Sequence, residues 1–211
     1  MTLVNKENTQ ESARITVLQS DDIEQDIRHL VVQTLNEGKF SPEAIKQTLQ
    51  DVLTGATEGA SQQLEKNTEA LEQVVSGIDA ALSQVAGASK LAIEEASSNL
   101  QDFSDHDLKR ALTDLQDLES LFLDTLSDVA NKGQETTKAT LTRLLEHLQN
   151  SGSSVGDSVT KVLSALHHDL SKGGRLEKIQ AAEMAKTASV SFIRMASGML
   201  AGIADSLENK K

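Results

Sequence analysis

The sequence predicts an all-α protein of long amphipathic helices, folded as an elongated antiparallel hairpin or bundle. Three observations predict this class. First, apolar residues between Leu49 and Leu100 recur with an eleven-residue step. One row is Leu49, Ala60, Leu71, Leu82 and Ile93. A second is Leu53, Leu64, Val75 and Ala86. A third is Ala56, Asn67, Ile78, Ser89 and Leu100. Eleven residues over three turns give about 3.67 residues per turn, so such a stripe drifts slowly around a helix. A strand would alternate every second residue instead. Second, the chain has one proline in 211 residues, where about 5% is ordinary. Proline breaks helix interiors, and its scarcity lets helices run far. Third, there are four Phe and no Tyr or Trp. Without large aromatic units, the interior must be built from narrow stripes of Leu, Val, Ile and Ala.

Taken in order, residues 1–19 are polar and mixed, and they read as a disordered arm. Ser20-Asp21-Asp22-Ile23-Glu24 is a helix start, with capping side chains and early acids at the positive end of the dipole. The short helix over 20–38 turns Ile23, Ile27, Leu30, Val31 and Leu35 to one face, and Gly38 stops it. Ser41-Pro42-Glu43 is the strongest local signal. Ser41 is placed to accept a free backbone N–H, and Pro42 suits the first helical position. A second helix is then expected to run to about Asp102. Uninterrupted, its length would be about 90 Å at 1.5 Å per residue. Residues 41–172 therefore read as a long helical hairpin or bundle.

Asp102–Asp107 reads as a corner, in which Ser104 and Asp107 fit the Ser-x-x-acid capping pattern. The third helix opens on the densest apolar stripe, Leu108, Leu112, Leu115, Leu118, Phe122, Leu126 and Val129. The eleven-residue rows resume there: Phe122, Gly133, Leu144, Val155, Leu166, and Leu126, Thr137, Leu148, Val159, Leu170. Asn150–Gly156 is loop-like in composition, yet the rows cross it in phase. The helix is expected to continue weakened or to resume after a short break. Ser171-Lys172-Gly173-Gly174 is a stop, and residues 175–208 form a C-terminal amphipathic helix.

Composition and spacing exclude most chemistry. The absence of cysteine removes disulfides, thiol nucleophiles and thiolate metal sites. The histidines, His29, His106, His147, His167 and His168, have no pair at ligand spacing on one helix face. They read as surface or boundary residues. No serine lies in a nucleophile elbow, and Gly152–Gly156 lacks the Lys-Ser/Thr of a phosphate loop. The acids fall on polar faces, where nothing shifts their pKa toward catalysis. No enzyme activity, cofactor or metal is expected. The N-terminus has no secretory pattern and no stretch reaches eighteen apolar residues, so no spanning helix is expected. The net charge is −12, with three basic and ten acidic residues in 41–103. Such a body repels phosphate backbones and argues against nucleic acid as a partner.

Interaction is the remaining class. Leu115, Phe122 and Leu126 are the candidate contacts of the dense stripe. Phe192, Met195, Gly198, Met199 and Gly202 are those of the C-terminal segment, where Arg194 is the only charge between Thr187 and Ala204. Gly198 and Gly202 make a Gly-x-x-x-Gly step that lets helices approach closely. Two roles are open for this segment: a tight helix–helix contact that closes the bundle or builds a homo-oligomer, or an interfacial helix on a lipid or polymer surface. Gly55 and Gly59, beside Ala56 and Ala60, offer a similar close-approach site.

Over about residues 42–207, this composition and these rows resemble the phasins, bacterial proteins that coat polyhydroxyalkanoate granules. Similar rows occur in apolipoprotein and perilipin helices and in late-embryogenesis-abundant proteins. The resemblance implies a non-enzymatic cytoplasmic protein, peripheral to a granule or membrane surface, that lays its apolar stripes on a hydrophobic surface. The same stripes equally suit a self-associating helical scaffold or coiled coil with partner helices.

Overall fold

The computed structural model describes residues 6–37, 41–63, 67–98 and 105–172. Their regular structure is entirely helical and forms an all-α bundle. The helices are α1 (Lys6–Gln19), α2 (Ile23–Glu37), α3 (Pro42–Ser61), α4 (Asn67–Ser98), α5 (Asp105–Gln116), α6 (Leu118–Lys132), α7 (Glu135–Ser151) and α8 (Ser154–Lys172). Among the described residues, no helix is long and apolar enough to cross a membrane.

Local chemistry sets the helix starts. Ser41 is extended (φ −142°, ψ 157°), and its hydroxyl accepts the Ala44 N–H at 3.2 Å, with Pro42 opening α3. Before α2, Asp22 accepts the Gln25 N–H at 3.0 Å. Ser20 accepts the Asp22 N–H at 3.0 Å and donates to Asp26 at 2.7 Å. The bonds to the Ala44 and Gln25 N–H groups satisfy donors that the helices themselves leave free.

The N-terminal segment corrects the expectation of a disordered arm over 1–19. Residues 6–19 are helical, and Thr9, Ala13 and Val17 are buried at a four-residue spacing. The stripe is narrow because its partner comes unusually close. At Gly55 a Cβ would overlap the Gln10 carbonyl oxygen; at Gly59 it would sit 2.8 Å from that of Arg14 and 3.0 Å from the Val17 Cβ. Backbone against backbone, an alanine suffices where a leucine is ordinarily needed. The pairs Gln10/Gly55 and Arg14/Gly59 run in the same direction, so α1 and α3 are parallel. Gln63 completes the contact by donating to the carbonyls of Val17 and Leu18 at 3.2 and 3.4 Å.

The expected continuous helix from Pro42 to about Asp102 is also corrected. It breaks after Ser61, where the Gln62 and Gln63 N–H groups bond the carbonyls of Gly59 and Ala60 in a tightened final turn. Every described member of the three rows is nevertheless buried, from Leu49, Ala60, Leu71, Leu82 and Ile93 to Asn67 and Ser89. Periodicity reports which side of each segment faces inward. It does not report whether the axis stays straight.

The third helix divides similarly. Asp117 interrupts it only slightly, since its N–H still bonds Thr113 and its carbonyl accepts from Leu121. Extended Gly133 and Gln134 end α6 and begin α7. Gly152 has φ 83°, a left-handed conformation that favours glycine, and α7 stops there. The helix thus resumes after a short break at Gly152–Ser153. The expected 175–208 helix lies outside the described residues.

Candidate functional site

Leu115, Phe122 and Leu126 are buried together on one stripe of α5 and α6, with Phe122 and Leu126 fully enclosed. They form the bundle interior, not a surface. Phe192, Met195, Gly198, Met199 and Gly202 lie outside the described residues. Large apolar side chains are scarce on the described surface: Ile15 is 39% exposed and Leu91 53%. Acids occupy the outside of the helices, among them Glu69, Glu72, Asp124, Glu146 and Asp157.

The feature that sequence reasoning missed is a line of polar contacts where α4 meets α7 and α8. Thr68 and Thr140 bring their hydroxyls to 3.5 Å. Glu72 pairs with Arg143 at 3.0 Å. Asp79, 7% exposed, accepts the Ser154 N–H at 2.8 Å and the Val155 N–H at 2.9 Å. Ser83 and Ser158 share a hydrogen bond at 2.6 Å. Asp79 follows Thr68, and Ser83 follows Glu72, by the same eleven residues that space the apolar rows.

The partner numbers explain the break in the chain. The separation between paired residues is 71 or 72 along α7 and 75 or 76 along α8. The Gly152–Ser153 break therefore absorbs about one turn's worth of residues. This shift sets the first free amides of α8 over Asp79, where a carboxylate at a helix start is favoured. Ser153 reinforces the start by accepting the Gly156 N–H at 2.9 Å and donating to Glu119 of α6. Gly156 leaves room for that carboxylate, which a Cβ would overlap. Glu119 near the start of α6 thus meets residues beyond the end of α7, so α6 and α7 form an antiparallel hairpin. The register of α4 with α7 and α8 is parallel.

The arrangement holds helices together in a fixed register. Among the described residues, no three His, Cys, Asp or Glu side chains gather to hold a metal ion. His29 and His147 are exposed. A second buried carboxylate, Asp51, accepts from Gln47 at 2.7 Å. It lines a half-open cleft of about 260 Å³ with Gln10, Gln50, Thr54 and Lys132. Ser153 could be suspected from its capping residue type after Gly152. Asp79 gave no signal, because it stands in the apolar run Ile78–Leu82.

The family model of DUF6781, a family of unknown function, matches residues 2–209, so the chain belongs to that family. No curated protein and no solved structure matches it.

Proposed function

We propose that this DUF6781 member is a non-enzymatic amphipathic-helix protein that associates with a hydrophobic surface, a lipid or polymer granule, in the manner of the phasins. On this reading it is cytoplasmic and peripheral to that surface. The observation that carries the reading is how the eleven-residue rows are used. The helices turn these rows inward, diluted by Ala56, Ala60, Asn67, Ala86 and Ser89, while most acids stay outside. A Leu-to-Ala equivalent forgoes about 2 kcal/mol or more of core stabilisation. An apolar surface can replace such partners one stripe at a time. The chain breaks between helices let the stripes separate without melting them.

Flotation with neutral vesicles, anionic vesicles and a dispersed polyester, followed by circular dichroism, tests the proposal. The protein should float with the particles and keep its helicity. If it stays in solution across a broad titration, the reading is wrong. A second reading is a self-associating scaffold joined through the Gly198/Gly202 step of the C-terminal segment. It predicts a defined oligomer by sedimentation that does not float.

A further inference from the structure

We propose that the cleft between α1, α3 and the end of α6 is a binding site for a small, neutral polyhydroxy compound. This stands apart from the surface-binding reading and does not need it. The observation behind it is a second stripe on α3. Gln47, Gln50, Asp51, Thr54 and Thr57 recur at three- and four-residue steps and so share one face of that helix. Another face, with Leu49, Val52, Leu53 and Ala56, is core. A polar stripe on a bundle helix ordinarily looks into water. This one lines a cleft of about 260 Å³, walled by Gln10 of α1 and by Val129 and Lys132 of α6. At about 30 Å³ per water that is room for about eight waters, or for one small organic molecule.

The cleft is graded in depth. Asp51, 5% exposed, is at its floor. Gln10, Gln50, Thr54 and Thr57 are half-buried along its walls, and Gln47 and Lys132 are exposed at its rim. A carboxylate withdrawn from water costs stability unless hydrogen bonds offset it. Gln47 supplies one at 2.7 Å, and a ligand hydroxyl would add another from the cleft side.

Donors and acceptors identify the ligand class. Thr54 and Thr57 spend their hydroxyl protons on the carbonyls of Gln50 and Thr54, at 2.6 and 2.8 Å, so to a ligand their oxygens are acceptors. Asp51 is an acceptor too, Lys132 only donates, and each glutamine carboxamide does both. A hydroxyl matches all of them. It gives a proton to Asp51 or a threonine and takes one from Lys132 or a carboxamide. A net charge on the ligand would be attracted by one of Asp51 and Lys132 and repelled by the other. Among the described residues, no aromatic ring lines the cleft, which removes the usual means of holding a quaternary ammonium. Val129 and the threonine methyls leave an apolar contact for the carbon skeleton of a polyol.

Titration of the full chain with myo-inositol, D-ribose and D-glucose, followed residue by residue with NMR, tests the site. Glycine and putrescine are the zwitterionic and cationic comparisons. Saturable shifts are the readout, because sugars also stabilise proteins by exclusion from their surface, without a site. At least one polyol should saturate with a dissociation constant of about 1 mM or tighter, moving the signals of Gln50, Thr54 and Lys132. Gln50→Leu and Lys132→Met should each weaken it about tenfold, the loss of one good hydrogen bond. Asp51→Asn keeps the shape of the floor and should weaken it at least as much; if that variant fails to fold, the wall and rim variants decide. Shifts that never saturate with any of the three polyols overturn the proposal. Tighter binding of glycine or putrescine overturns the ligand class, and variants that bind as the parent does overturn the location.

Discussion

The α1/α3 contact and the α4/α7–α8 seam join parallel helices by opposite means. In the first, Gly55 and Gly59 remove side chains so that backbones touch, and Thr9, Ala13 and Val17 fill what remains. In the second, side chains of α4 reach across to hydroxyls, a guanidinium and the free amides of α8. One contact is close and intolerant of added volume. The other adds a line of polar pairs to the apolar core and so fixes the register of the helices.

The largest expected effect is at the close contact. Gly55→Ala places a methyl on the Gln10 carbonyl, which is backbone and cannot swing away. Equilibrium unfolding should show a loss near the upper end of the ordinary 1–3 kcal/mol for overpacking, about 3 kcal/mol. At the seam, Asp79→Ala leaves two N–H groups of α8 without their acceptor. The expected loss is about 1–3 kcal/mol, with exchange accelerated at Ser154 and Val155 before it is at α3. Equal acceleration everywhere would erase the distinction between the two sides. Gly87→Ala sharpens the comparison in the other direction. Gly87 is exposed on α4 with nothing near a Cβ, so alanine should stabilise by about 0.5–1 kcal/mol through helix propensity.

The smallest effect is electrostatic and lies outside both contacts. Burial raises the Asp114 carboxyl above the ordinary aspartate value, with Arg110, 3.8 Å away, pulling the other way. A carboxyl raised on folding binds its proton more tightly in the folded state. Its ionisation therefore lowers stability as pH rises from the unfolded pKa through the folded one. Asp114→Asn should gain stability relative to the parent above that window and lose the gain below it. Paired denaturation curves across acidic and neutral pH check the sign.

Much of the bundle was legible because one stripe per helix faces inward: Leu49, Leu71, Leu82 and Ile93 are buried as their spacing required. The Ser41–Pro42 start was legible because capping is local. The α1 helix was not, since its stripe is apolar only at Ala13 and Val17 and gains its meaning from glycines more than forty residues away. The Gly55/Gly59 close-approach site was readable; its partner was not. Asp79 was hidden for a related reason. A carboxylate among Ile78, Ala80 and Ala81 makes sense only when the break at Gly152–Ser153 places the start of α8 above it.

The central claim is that the helices, α4 and α8 among them, separate without melting when the protein meets an apolar surface. Spin labels on Ser76→Cys and Ser164→Cys, both exposed sites on those two helices, measure it directly. The distance between them should lengthen, with helicity retained, when vesicles are added. An unchanged distance in protein that floats with the vesicles would contradict the account.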